Sequence, residues 1–273
     1  MRGYGKRAGT EGMERNQSQG SRYPVFSKYR VLILFCLALQ GCAGGIPSIP
    51  NSPEEIVVRG ENYFNRGKYY QSQELFRAFI ERYAGHDRSD YVQFMLAESY
   101  FKDGEYALAA VEYRILVTNY GYSDYVDDGF FKEGLCNYYQ SPKFQLDQTK
   151  AYEALSQLEQ FVQVYRTSPL VPEAERHIRL VREKLARKDV ENALYYFKRK
   201  RYISALVYLD KVIADYTDNS YWVYAKYLKA QILFVRGERA EEAAELLREV
   251  MAYPEALPVK REAKALLARM GAG

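Results

Sequence analysis

The chain repeats itself, and the repeat limits the folds open to it. Tyr63-x-x-x-Gly67-x-Tyr69, followed by Phe76 and Tyr83, returns as Tyr100-x-x-x-Gly104-x-Tyr106, Tyr113 and Tyr120, each residue displaced by 37. Counting back from a terminal tyrosine extends the pattern to five units, ending at Tyr83, Tyr120, Tyr165, Tyr216 and Tyr253. Seven residues before these lie Phe76, Tyr113, Leu158, Leu209 and Leu246, and eleven before lie Ser72, Ala109, Ala154, Ala205 and Glu242. Twenty-three before lie Gly60, Ala97, Ala193 and Ala230, with Gly134 displaced by an insertion in the third unit. A period of this size marks a supersecondary unit that buries its apolar face only against copies of itself.

Within each unit the apolar residues follow helical spacing, as in Leu75, Phe76, Phe79, Ile80 and Tyr83, and no segment alternates with period two. Gly67, Gly104 and Gly237 mark turns, and Lys198-Arg199-Lys200 stands in their place in the fourth unit. The expected fold is therefore all-α: a right-handed solenoid of about five antiparallel helix pairs, small residues allowing close approach and aromatics filling the wedges. The pattern resembles the tetratricopeptide repeat (TPR), a helix pair of about 34 residues. The proline that usually follows the second helix survives only as Pro254, and spacings of 37, 45, 51 and 37 imply an insertion and a lengthened middle helix.

Composition excludes several function classes. Among 273 residues there are 27 Tyr and 13 Phe but one Trp and two His, too few histidines for a typical metal cluster. Of the net charge of +4, residues 1–41 carry seven Lys/Arg and two Asp/Glu, or +5, which leaves the body at −1 and unlike a nucleic-acid binder. No phosphate-binding glycine loop, Gly-x-Ser-x-Gly, His-Glu-x-x-His or Cys-x-x-Cys occurs. His86 and His177 are expected on the surface, Cys136 as a small buried apolar residue, and neither enzymatic chemistry nor a cofactor is implied.

The amino terminus reads as an address. Lys28 and Arg30 precede the nine apolar residues 31–39, too short a run to span a bilayer but suited to a signal peptide over 1–41. The segment Leu39-Gln40-Gly41-Cys42 resembles a lipoprotein lipobox, which makes Cys42 the residue expected to carry lipid. Ala43 beside it favours the periplasmic face of the outer membrane. A Gly/Pro/Ser-rich tether over 42–52 would then hold a body beginning with Ser52-Pro-Glu-Glu, a helix-start signature.

Several ordered stretches go beyond a generic repeat: Gly121-Tyr-Ser-Asp-Tyr125, Gly134-Leu-Cys-Asn-Tyr138-Tyr139, Ser141-Pro-Lys-Phe-Gln-Leu-Asp-Gln-Thr149, Ser168-Pro-Leu-Val-Pro-Glu-Ala174, Leu185 to Ala193, and Tyr195-Tyr-Phe-Lys-Arg-Lys-Arg-Tyr202. With the lipobox, this set resembles the BamD family of lipoproteins of the outer-membrane β-barrel assembly machinery. The resemblance implies a client-binding half over 53–165, receiving the C-terminal segments of unfolded outer-membrane proteins. It implies a docking half over 166–273, binding the periplasmic domains of a BamA-like barrel subunit, with other assembly lipoproteins as further partners. Counting helix positions in the first three units points Val57, Glu61, Phe64, Tyr91, Phe94, Glu98, Phe101, Phe131 and Tyr138 toward a peptide-binding groove. Docking candidates are Arg199, Arg201, Tyr221, Trp222, Tyr224 and Tyr227. The alternative is another TPR lipoprotein scaffold of the envelope, serving pilus secretin assembly or peptidoglycan and division.

Overall fold

The computed structural model describes residues 47–271; the signal region, Cys42 and the first part of the tether lie outside the described residues. Among the described residues there are eleven helices and no strand. They are α1 (Pro53–Asn65), α2 (Tyr69–Arg82), α3 (Ser89–Asp103), α4 (Tyr106–Asn119), α5 (Val126–Gln140), α6 (Thr149–Val164), α7 (Val171–Lys198), α8 (Tyr202–Asp215), α9 (Ser220–Arg236), α10 (Ala240–Ala252) and α11 (Val259–Arg269). Consecutive helices pack on one another, giving five TPR-like pairs, with α11 added at the end. No described helix is long and apolar enough to cross a membrane.

The first helix begins where its capping residues dictate. Ser52 accepts a hydrogen bond from the Glu55 amide, Pro53 takes the first helical position, and Glu54 and Glu55 occupy the first turn. The chain just upstream is also held: Ile49 packs on the core of the first two pairs, Tyr83 donates to the Asn51 carbonyl and Arg82 to that of Pro50. The ordered body thus reaches back into the segment that the sequence reads as tether.

Four of the five hairpin turns use the same backbone device, the exception being the 141–149 insertion between α5 and α6. Gly67, Gly104 and Gly237 adopt φ of 69°, 83° and 66° after α1, α3 and α9, and Lys200 adopts 56° after α7. The next amide closes back on the helix, Lys68 to Tyr63, Glu105 to Tyr100, Arg201 to Tyr196 and Glu238 to Leu233, at 2.9–3.0 Å. Glycine takes this left-handed conformation without steric cost, whereas Lys200 does not.

The repeating tyrosines end the second helices. Tyr83, Tyr120, Tyr165, Tyr216 and Tyr253 are the C-caps of α2, α4, α6, α8 and α10. Small residues on the first helices face large ones on the second. A Cβ on Gly60 would lie 2.4 Å from Phe76 Cε1, and one on Gly134 would lie 3.1 Å from Leu158 Cδ2. Phe76, Tyr113, Leu158 and Leu209 are fully buried, each worth roughly 2–3 kcal/mol of apolar transfer. Cys136 is buried as expected, and burial pushes its thiol up to about 12, which leaves it unreactive at neutral pH.

Connections between repeats share a second device that the periodicity did not reveal. His86, Ser123, Ser168 and Asn219 each stand three residues past a terminal tyrosine, and each side chain accepts from the amide two residues on, at 3.0–3.3 Å. Ser123 Oγ also donates to Asp90 (2.6 Å) and Ser168 Oγ to Asp127 (2.7 Å), tying each loop to the start of the preceding repeat's first helix.

The 28-residue α7 belongs to two pairs at once. Ala151 and Ala154 of α6 share one apolar cluster with Val181 to Ala193 of α7 and with α8 and α9, so the core runs without a break across the 165/166 division. α11 was not anticipated: Val259, Ala263, Leu266 and Leu267 seat it on α9 and α10 and cover the end of the stack.

Candidate functional site

The first helices of the N-terminal pairs carry a connected set of aromatic and charged side chains. Glu61 of α1 accepts from the Tyr91 hydroxyl (2.7 Å) and from Arg88 (3.4 Å), and the Arg88 guanidinium lies 5.0 Å from the Tyr91 ring centroid. Tyr91 then meets Tyr125 (5.7 Å), and Tyr125 stacks on Phe94 at 4.9 Å with the planes 16° apart. Lys132 Nζ sits 5.6 Å from the Phe94 ring and 5.7 Å from that of Phe101. Phe101 continues to Tyr139 (5.7 Å), Tyr139 to Tyr138 (5.3 Å), and Tyr138 to His177 of α7 (5.1 Å).

A buried carboxylate organises the middle of this face. Glu98 pairs with Lys132 and accepts the Tyr113 hydroxyl, and it is 6% exposed. Burial, and then the Glu98 charge, push the Tyr113 phenol well above its usual value. Burial and the hydrogen bond to Glu61 do the same for Tyr91. Both phenols therefore stay protonated at neutral pH and act as donors.

The structure separates the nine groove candidates. Tyr91, Phe94, Phe101 and Tyr138 are half-buried and linked as above, with Glu61 at one end. Val57 and Phe131 are corrected to core. Val57 is fully enclosed in the cluster of Phe76 and Phe79, and Phe131 packs 5.5 Å from Phe161. One position on a helix rotates a side chain by about 100°, enough to move it from groove to core. Glu98 is a buried counter-ion rather than an open contact. Phe64 meets Tyr69 edge-on at 5.6 Å, a contact that recurs as Phe101–Tyr106 (5.4 Å) and Phe197–Tyr202 (5.9 Å) and so belongs to the hairpin turns.

His177 is also corrected: it is 3% exposed, not on the surface. Its Nδ1 faces the Glu173 carbonyl at 3.0 Å, and burial lowers its pKa from the ordinary value. Tyr125, Lys132, Tyr106 and Tyr139 were missed. Tyr106 stood in the repeat pattern, but its stacking on Tyr139 (5.0 Å) joins residues of different units, which no local spacing reveals.

The docking candidates divide similarly. Trp222 Nε1 donates to the Ile213 carbonyl (3.1 Å), and its ring lies 3.6 Å below Lys226 Nζ and 6.4 Å from Tyr253. Tyr227 packs between two apolar clusters. These two side chains hold α9 in place. Tyr224 is exposed, and Arg199 and Arg201 are exposed on the turn after α7, with Arg199 stacked 3.5 Å over Tyr195. Tyr221 borders a hollow beside the 141–149 insertion.

Among the described residues no group of three or more His, Cys, Asp or Glu could hold a metal ion. The arrangement offers apolar contact area on rings fixed by internal hydrogen bonds, together with paired charges, which suits binding an extended chain.

A sequence model of one protein family, YfiO: Outer membrane lipoprotein, matches residues 50–246. The chain belongs to this family of outer membrane lipoproteins. It is 22% identical over 206 residues to the "Outer membrane protein assembly factor BamD" of Vibrio cholerae, covering 70% of this chain and 85% of that protein. It is likewise 22% identical to the BamD proteins of Haemophilus influenzae, covering 70% and 78%, and of Caulobacter vibrioides, covering 69% and 64%. The YfiO match runs from Pro50, just before α1, into α10. It therefore takes in the aromatic face and the α7 turn alike.

Proposed function

We propose that the chain is a non-enzymatic scaffold of outer-membrane β-barrel assembly, held to the membrane by lipid on Cys42. Its N-terminal pairs receive the extended C-terminal segment of an unfolded barrel protein along the aromatic face. Its C-terminal pairs dock on the periplasmic domains of a BamA-like subunit and stand beside other assembly lipoproteins. The observation that carries the client half of this reading is the line from Glu61 through Tyr91, Tyr125, Phe94, Lys132, Phe101 and Tyr139 to Tyr138, crossing three successive helix pairs. Tyrosine and phenylalanine supply large contact area at low entropic cost, and the Tyr91 hydroxyl, which donates to Glu61, fixes the orientation of its ring.

Affinity purification through this lipoprotein, combined with its depletion, tests the reading. Recovery of the barrel subunit and a fall in many outer-membrane barrels are expected. Recovery of secretin or cell-wall partners alone, with barrels spared, would instead indicate a different envelope scaffold. Cys42→Ala should abolish acyl labelling and membrane anchorage; labelling that persists would remove the anchor assignment.

A further inference from the structure

The 141–149 insertion is a built element rather than a slack loop. Gln148, 3% exposed, donates from Nε2 to the carbonyls of Lys143 (2.9 Å), Leu146 (3.1 Å) and Asp147 (3.1 Å). Lysines of α7 then clamp the loop from outside: Lys184 donates to Ser141 O (3.1 Å) and Oγ (2.7 Å), and Lys188 donates to Leu146 O. Arg187 lies 4.1 Å over the Phe144 ring. Phe144 thus stands as a ridge between two hollows of about 440 and 420 Å³ on the outer face of α7.

Charge is what sets this cleft apart. The two hollows are lined by six cations, Lys143, Lys184, Arg187, Lys188, Lys198 and Arg199, and by only two carboxylates, Glu183 and Glu191, a local balance of 6 − 2 = +4. The body as a whole carries −1. Among the described residues none of the six lies within 4.0 Å of a carboxylate, although Arg182 on the same helix pairs with Glu159 and Asp218. The clamping lysines use neutral carbonyl and hydroxyl acceptors, so their charge is anchored but not neutralised. Burial lowers the Lys184 pKa, as expected for an ammonium without a counter-ion.

The cleft is also long. From Leu180 to Arg199 it follows α7 for about 28 Å at 1.5 Å per residue, the length of about eight residues of extended chain. Tyr221, Phe144 and Tyr195 are spaced along it. A compact phosphate would use one cation cluster and leave this line of aromatics idle. A peptide with carboxylates at intervals and one apolar side chain uses both.

We propose that the cleft between the 141–149 insertion and α7 binds an extended acidic segment of a partner protein, with carboxylates on Arg187, Lys184 and Lys198 and an apolar side chain against Phe144. Arg187, held flat by its stacking, presents its guanidinium edge for two-pronged contact with a carboxylate. The inference rests on the docking reading above only for assigning the segment to a partner of this half.

The test titrates the full-length lipoprotein in detergent into a fluorescein-labelled peptide of eight glutamates with one central tryptophan. Saturable binding that weakens with salt is expected, with a loss of about tenfold on Arg187→Glu and on Lys198→Glu. Phe144→Ala should lose less, about threefold, and should lose nothing for an all-glutamate peptide. Lys198 holds no loop contact, so Lys198→Glu keeps the insertion in place. Absence of saturable binding, or binding indifferent to both charge reversals, overturns the proposal. So does binding of phosphatidylglycerol vesicles without the peptide, which would assign the cleft to a lipid headgroup. If the peptide fails while the barrel subunit still co-purifies, this inference falls and the docking reading stands. If the peptide binds with the expected losses but no barrel subunit co-purifies, the cleft stands and the docking reading falls.

Discussion

In the first three helix pairs Phe94 lies stacked on Tyr125 at the border of the solvent, under Lys132, whereas in the last two Trp222 is pinned by its own N–H to the Ile213 carbonyl. The same repeat therefore spends its aromatic residues differently at its two ends. In the N-terminal half they form a surface line, ordered by the buried Glu98–Lys132 pair. In the C-terminal half Trp222 and Tyr227 are structural, and cations on the α7 face and turn lie outside beside exposed rings such as Tyr195 and Tyr224. Stacked repeats allow this because each unit's first helix needs only part of its circumference for packing. Aromatic richness alone therefore does not say which rings reach the surface: Phe94 and Phe101 do so beside the Glu98–Lys132 pair, whereas Trp222 is tied into the stack.

The comparison can be broken by substitutions of graded effect. Trp222→Ala should cost about 3 kcal/mol in urea unfolding, since it removes a large packed ring and leaves a carbonyl unmet. A loss below about 1 kcal/mol would make Trp222 a free interface anchor instead. Glu98→Ala should cost about 2 kcal/mol, because it leaves Tyr113 without an acceptor and Lys132 without its partner. Glu98→Gln should recover part of that loss by keeping an acceptor. Of the four turns closed by a left-handed residue, the one after α7 alone lacks glycine, so Lys200→Gly should stabilise the chain by up to about 1 kcal/mol. Destabilisation there would show that the Lys200 side chain does more than sit in solvent.

The smallest effect lies where the halves meet. Burial keeps the His177 pKa below its unfolded value of 6.5, so the unfolded chain takes up a proton before the native one does. Stability contributed by neutral His177 is complete above pH 6.5 and declines as pH falls through the lower native value. The drop in Tm between pH 7.5 and 5.5 should be smaller in His177→Gln than in the natural chain. An equal drop would show that His177 is protonated as readily folded as unfolded.

Repetition made much of this fold legible. The five terminal tyrosines, the glycine turns and the small residues opposite Phe76 and Leu158 recur in the sequence because each unit solves the same packing problem, and the Ser52 cap was legible from its own local signature. The face was legible only in outline. Val57 shares α1 with Glu61 and Phe131 shares α5 with Tyr138, and residues on neighbouring faces of one helix look alike until the partner helix is present. Phe94 meets Tyr125 and Phe101 meets Tyr139 across repeats, at separations no hairpin pattern encodes. His177 was misplaced because the charged residues around it concealed an inward-facing position on α7. α11 was missed because it lies beyond the last repeat and answers to the exposed end of the stack rather than to the period.

The central claim is that the N-terminal aromatic face, and not the C-terminal one, grips the client chain. Its most direct test is the affinity of the full-length lipoprotein for a synthetic peptide copying the C-terminal segment of an outer-membrane barrel protein. Phe94→Ala should weaken binding about tenfold while the chain stays helical, and Tyr224→Ala should leave it unchanged. Equal affinities for the natural chain and Phe94→Ala, or a loss confined to Tyr224→Ala, would contradict the account.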